Sequence, residues 1–223
     1  MPTIDTMNGP DVPGWAQDAA ATMAAVEAGA ASACAVPRLA VLVPVEDGPQ
    51  GARVVLEVRS HELSSQPGEV SLPGGHVEPG ETAAQAAVRE TCEELLVGPE
   101  SIGSLVALGD VEGPAGHPIA AFAARLSGYG GSFSPDEVER TFTADVGWLL
   151  SHEPETHRVR LAPDFDDDFP FDLVPGGRGY RWQWGSRAIP FWRGSDPMIW
   201  GATARVLMAF LDALRAGRAP REG

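Results

Sequence analysis

Four glutamates and one arginine carry the first signal of chemistry. Glu81, Arg89, Glu90, Glu93 and Glu94 follow Gly74-Gly75 and the turn pair Pro79-Gly80. The residues from Thr82 to about Leu96 favour a helix. At about 100° per residue, Glu90, Glu93 and Glu94 fall within an arc of roughly 100°, while Ala84, Val88, Thr91 and Leu95 gather on the other side. The spacing predicts one packed face and one carboxylate face. Glu90 and Glu94 stand at i and i+4, where like charges repel by a few tenths of a kcal/mol. Such a cluster is favourable around a hard divalent cation such as Mg²⁺, which takes oxygen ligands and completes its shell with water and substrate phosphate. Arg89 can hold a carboxylate in a hydrogen-bonded fork. Three glutamates alone would also suit a solvated helix face. The lead-in favours a site, because Gly74 and Gly75 let the backbone approach a ligand closely and Pro79-Gly80 makes a turn directly before the helix.

The spacing Gly75, Glu81, Arg89-Glu90, Glu93-Glu94, closing at Leu96-Val97, resembles the signature box of the Nudix hydrolase family. Thr91 replaces an aliphatic residue, and Leu96 stands where glycine is usual, so the turn after the helix is expected to differ, with Gly98 as a substitute C-cap. The resemblance implies an α/β fold: an α/β/α sandwich with a mixed β-sheet. It implies hydrolysis of a nucleoside diphosphate linked to another group, with Mg²⁺ or Mn²⁺ as cofactor. By position, Glu90 and Glu94 are the expected metal ligands, Glu93 supports them, and the carbonyl of Gly74 or Gly75 completes the site. Glu81 and Arg89 orient the cluster. The expected general base is Glu93, with Glu137 as the second choice.

The box alone does not select a substrate. The segment before it, from Arg59-Ser60 through Leu63, Gly68, Val70 and Ser71 to Pro73-Gly74-Gly75, resembles the signature of the coenzyme A pyrophosphatase branch. Ser64 stands where arginine is usual and Leu72 where phenylalanine is usual. The C-terminal Pro190-Phe191-Trp192 and Ile199-Trp200-Gly201-Ala202-Thr203-Ala204 are also similar to that branch. The expected substrate-binding residues are Arg59, Ser60, Gly68, Pro73, Gly74 and Gly75. Arg59 suits a phosphate, and Phe191, Trp192 and Trp200 suit a pocket for adenine or the pantetheine arm. The implied reaction splits coenzyme A or its acyl derivatives into 3′,5′-ADP and 4′-phosphopantetheine. ADP-ribose, NADH or a nucleoside triphosphate remains an alternative substrate, and a non-catalytic nucleotide-binding module is the alternative from another class.

The elements that must position these residues are legible in outline. Residues 15–30 read as a helix, 39–45 and 53–59 as a strand hairpin, and 60–80 as a long loop. Strands are expected at 105–108, 119–126 and 180–184, a strand leading into a short helix over 139–150, and a helix over 199–214. Residues 163–173, with Asp164 and Asp166 to Asp168, read as an exposed acidic loop. The expected organisation is an N-terminal extension over 1–36, a catalytic domain over 37–217 and a tail over 218–223. His61 and His76 read as polar loop residues, since hard cations prefer oxygen.

The chain has 223 residues and a formal net charge of −15, from 16 basic and 31 acidic residues. That charge repels nucleic-acid backbones, so the expected partner is a small nucleotide, not nucleic acid. Cys34 and Cys92 form no metal-binding spacing. With no apolar run of membrane-spanning length and no signal-peptide pattern, the expectation is a cytoplasmic protein without membrane contact. A homo-oligomer is left open.

Overall fold

The computed structural model describes residues 39–48 and 51–218, all within one compact unit that begins at Arg38. The helix expected over 15–30, Cys34, the extension 1–36 and the residues after 218 lie outside the described residues.

Strand β1, Leu39–Gly48, is the axis of the fold. Alternate side chains of a strand face opposite sides of the sheet. Ala40 and Leu42 pack on one side with Ala86, Ala87, Ala120 and Ala124. Val43, with Leu39, Val41 and Val45 around it, packs on the other with Leu207 and Leu211. Because both faces are apolar, the strand is covered twice. Helix α1, Ala83–Leu95, lies on the first face, where small alanines allow close approach. Helix α3, Gly201–Arg218, lies on the second. The short helix α2, Val146–Ser151, contributes Val146 and Leu149 to that same core. The result is the expected α/β/α sandwich.

The central sheet is mixed. Strand β2, Gly51–Arg59, pairs antiparallel with β1, and β6, Pro118–Arg125, pairs with β1 in parallel. Strand β7, Val138–Asp145, joins β2, and β5, Val106–Glu112, joins β6. Two short strands fall inside the segment expected to be one long loop. Strand β3, Val70–Ser71, pairs with β2, and β4, Gly74–His76, pairs antiparallel with the first three residues of β1.

A second sheet is formed by β8, Glu155–Arg160, β9, Ser186–Trp192, and β10, Ile199–Trp200. Residues 180–184 are not a strand. Their alternating aromatics pack instead within a cluster in which Trp182 meets Phe165, Phe169 and Tyr180. That cluster braces the acidic loop, whose Asp164, Asp166, Asp167 and Asp168 are exposed. The C-terminal helix begins two residues later than expected, because Ile199 and Trp200 pair with Trp192 and Phe191. Among the described residues no helix is long and apolar enough to cross a membrane.

Candidate active site

The carboxylate helix is fixed at both ends. Thr82 and Gln85 form a reciprocal capping box, with the Thr82 amide donating to Gln85 Oε1 at 2.9 Å. At the other end Leu96 itself is the left-handed cap, at φ 51° and ψ 47°. The turn therefore keeps the conformation that glycine would favour, contrary to the expected shift. Gly98, at φ −79°, has ordinary backbone geometry and caps nothing at the helix end.

Strand β4 brings the glycines against this helix. At Gly74, φ is 154°, and a Cβ would stand 2.3 Å from the Ala40 carbonyl oxygen. At Gly75 a Cβ would stand 2.2 Å from Glu90 Oε1. Only glycine lets β4 pair with β1 and leave Glu90 its place. The Gly74 amide donates to Glu94 Oε2 at 2.8 Å, which fixes the deepest carboxylate to the sheet.

Arg89 organises the rest. Its Nε and Nη2 donate to the two oxygens of Glu81 at 3.0 and 3.1 Å. Nη2 also donates to the His76 carbonyl, and Nη1 lies 3.0 Å from Glu90 Oε1 and 3.2 Å from Glu93 Oε2. The arginine beside Glu81 holds that carboxyl below its ordinary range, and Glu81 in turn raises the guanidinium.

Glu90, Glu94 and Glu137 each offer an oxygen, and these oxygens lie within 4.8 Å of one another. Glu137 arrives from the turn before β7, where its carbonyl accepts from the Ser60 amide at 2.8 Å. Glu93 is not one of the three and stays exposed against Arg89. Glu94 is 2% exposed. Burial pushes its carboxyl up to about 9, and the nearby Glu57 adds to the rise. Glu90 is also raised, chiefly by burial.

Glu57, on β2, was not among the expected site residues. It is 1% exposed, its Oε1 accepts from Ser71 at 2.9 Å, and its Oε2 has no hydrogen-bond partner. Burial pushes it up to about 7. The signal was a lone charge inside the apolar run Val54-Val55-Leu56-Glu57-Val58. A buried carboxylate oxygen without a partner is costly, and the three clustered carboxylates of Glu90, Glu94 and Glu137, with Glu57 buried nearby, fit a hard divalent cation with oxygen ligands.

A cavity of about 560 Å³ opens beside β4. Arg59, Gly74 and Gly75 line it, with Leu72 and Trp200. Arg59 Nε is buried without a partner, a donor left for a ligand. Ser60, Gly68 and Pro73 are not among the lining residues. They shape the segment through backbone bonds: the Gly68 amide donates to the Arg59 carbonyl, and the Leu42 amide donates to that of Pro73. Trp200 stacks on Phe191 at 5.5 Å between ring centroids. Trp192 is instead core, 1% exposed, with its indole N–H donating to the His152 carbonyl. His76 lines the cavity, and His61 pairs with Glu139 at the surface. Cys92 is half-buried and its thiol is raised by that burial.

Comparison with known proteins agrees with this arrangement. The NUDIX domain profile matches residues 36–164, more than half of the chain. The chain is 44% identical over 64 residues to Nudix hydrolase 3 of Caenorhabditis elegans, covering 29% of this chain and 27% of that one. It is 33% identical over 138 residues to the peroxisomal coenzyme A diphosphatase ndx-8 of the same organism, covering 58% and 57%. The chain thus spans between about a quarter and just over half the length of these curated relatives. Among solved structures, a Caenorhabditis elegans Ap4A hydrolase binary complex is 24% identical, with a TM-score of 0.41, covering 51% of this chain and 83% of that one.

Proposed function

The chain belongs to the Nudix family, and from that premise we propose that it hydrolyses the diphosphate of coenzyme A or its acyl derivatives, with Mg²⁺ or Mn²⁺, to 3′,5′-ADP and the phosphopantetheine half. The observation that carries the reading is the junction at Gly74-Gly75, where the carboxylate cluster and the cavity meet. The coenzyme A assignment draws on the segment from Arg59 to Gly75 and on the relative named a coenzyme A diphosphatase. We assign the activity to the domain over 37–217, with 1–36 as an extension and 218–223 as a tail.

Glu90, Glu94 and Glu137 would hold the cation, with Gly74 fixing Glu94. When bound, a divalent cation supplies Lewis acidity toward phosphate oxygens and lowers the pKa of a bound water. Arg89, forked on Glu81, keeps Glu90 and Glu93 in register. Glu93, outside the three-carboxylate cluster, is the proposed base that takes the proton of the attacking water. Arg59 donates its unpartnered Nε to a substrate phosphate, and Trp200, backed by Phe191, gives an aromatic wall to the cavity.

Steady-state kinetics on coenzyme A at varied Mg²⁺ test this directly. Glu93→Gln is expected to lower kcat by about 10²-fold or more with little change in the metal requirement. Glu137→Gln is expected to raise the Mg²⁺ concentration needed by about tenfold. Wild-type protein that leaves coenzyme A intact at every metal concentration would contradict the proposal.

A further inference from the structure

The cavity continues away from the carboxylate cluster to a second set of charges that the reaction at the diphosphate does not use. Arg187, on β9, and Arg205, on α3, both line it, and so does Glu112 at the end of β5. Glu112 ties the two together. Its Oε1 lies 3.4 Å from Arg187 Nε, and its Oε2 accepts from Arg205 Nη1 at 2.6 Å. Arg205 also donates to the carbonyls of Glu112 and Ala188, so its guanidinium is locked to both β5 and β9. Ile119, Ile189 and Val206 supply apolar wall between this end and the glycines.

Two facts separate this cluster from ordinary surface charge. The protein carries 31 acidic and 16 basic residues, yet Arg59, Arg187 and Arg205 outnumber Glu69 and Glu112 among the cavity's lining residues. Like every basic residue of the chain, these are arginines, whose planar fork matches phosphate. The arginines are also sheltered, with 28% of the Arg187 side chain and 19% of the Arg205 side chain exposed. Sheltered charges are screened less than surface ones.

The sheet sets the span. Strands β4, β1, β6 and β5 are consecutive neighbours, with His76 opposite Leu39, Leu39 opposite Ile119, and Ile119 opposite Val111. Three steps of about 4.8 Å place the backbone of β5 about 14 Å from that of β4. Glu112, at the end of β5, therefore stands across that span from the glycines of β4 and holds Arg187 and Arg205 beside it.

We propose that Arg187 and Arg205, braced by Glu112, form a second anion subsite that takes a phosphate monoester carried on the nucleoside, outside the diphosphate that is cleaved. The subsite rests on the proposed function for its placement beside the reacting diphosphate, and it names the feature by which the site selects among nucleoside diphosphate derivatives. In coenzyme A that group is the 3′-phosphate. Dephospho-coenzyme A, ADP-ribose and NADH carry none there.

Binding of the nucleotide halves tests this without turnover or metal. Calorimetry with 3′,5′-ADP and with 5′-AMP is expected to show at least tenfold tighter binding of 3′,5′-ADP by wild-type protein. In Arg187→Ala and in Arg187→Gln that preference falls to about twofold or less. The preference in kcat/KM for coenzyme A over dephospho-coenzyme A is expected to fall by a similar factor. Equal binding of the two nucleotides by wild-type protein, or a preference that survives both substitutions, would overturn the subsite. Protein that prefers 3′,5′-ADP but leaves coenzyme A intact would keep the subsite and overturn the proposed reaction.

Discussion

Glu94 and Glu57 are the two most buried carboxylates of the site, and their protonation ties stability to metal. Both are raised in the fold, to about 9 and about 7, from an ordinary value of 4.5. Between pH 4.5 and those values the folded state keeps protons that the unfolded chain releases. Stability without metal therefore falls as pH rises through this window, and the loss is complete above about 9. A cation binds the deprotonated groups, so its stabilisation grows over the same range. Thermal melts in EDTA are expected to show Tm falling from pH 6 to pH 9, and Mg²⁺ is expected to raise Tm more at pH 8.5 than at pH 6. Glu57→Gln keeps the hydrogen bond from Ser71 and removes one buried charge, so it is expected to flatten the slope in EDTA. A metal-free Tm that climbs across this range would contradict the assignment of buried, raised carboxylates.

At the scale of elements, the cap at Leu96 offers a test in the opposite direction. A non-glycine residue in the left-handed region costs about 1–2 kcal/mol. Leu96 is 57% exposed, so its side chain returns little packing. Leu96→Gly is expected to stabilise the protein by about 1 kcal/mol, a rise of about 2–4 °C in Tm. An unchanged or lower melting temperature would show that the leucine contributes more than its exposure implies.

The carboxylate helix was legible in the sequence because its signals are local: the turn at Pro79-Gly80 and the spacing of Glu81, Arg89, Glu90, Glu93 and Glu94. Its packed face was not, since Ala86, Ala87 and Glu94 are buried with Thr91 and Leu95 while the expected Ala84 and Val88 are only half-buried, and the carboxylates therefore do not all stand opposite the core. The two-residue strand β3 and three-residue strand β4 were not, because they exist only through pairing with distant β2 and β1. Strand β8 was missed for a different reason. All six of its residues are exposed, so it lacks the apolar alternation that marks a half-buried strand. The aromatics of 180–184 suggested a strand, yet they pack into a loop cluster, a tertiary choice that overrides local preference. Arg187 and Arg205 were silent for the same non-local reason as β4, since β5, β9 and α3 bring them together.

At the scale of the whole molecule, a strongly acidic chain sets the Glu90, Glu94 and Glu137 cluster against the Gly74-Gly75 edge of a cavity that Arg59 also lines, and sets Arg187 and Arg205, bridged by Glu112, elsewhere on the same lining. On the proposed reading the carboxylate cluster would take a cation and the reacting diphosphate, the paired arginines would take a further phosphate, and apolar lining residues such as Ile119 and Val206 would flank the nucleoside. The net charge of −15 also works against nucleic acid as a partner, since non-specific binding to it depends on clustered positive charge.

The most direct measurement is mass-spectrometric product analysis after incubation with coenzyme A, ADP-ribose and NADH together, at equal concentration, with Mg²⁺ or Mn²⁺ and again with EDTA. The account predicts 3′,5′-ADP and 4′-phosphopantetheine as the dominant products with metal, and none with EDTA. Cleavage of ADP-ribose or NADH with coenzyme A left intact, or cleavage of coenzyme A that EDTA does not suppress, would contradict it.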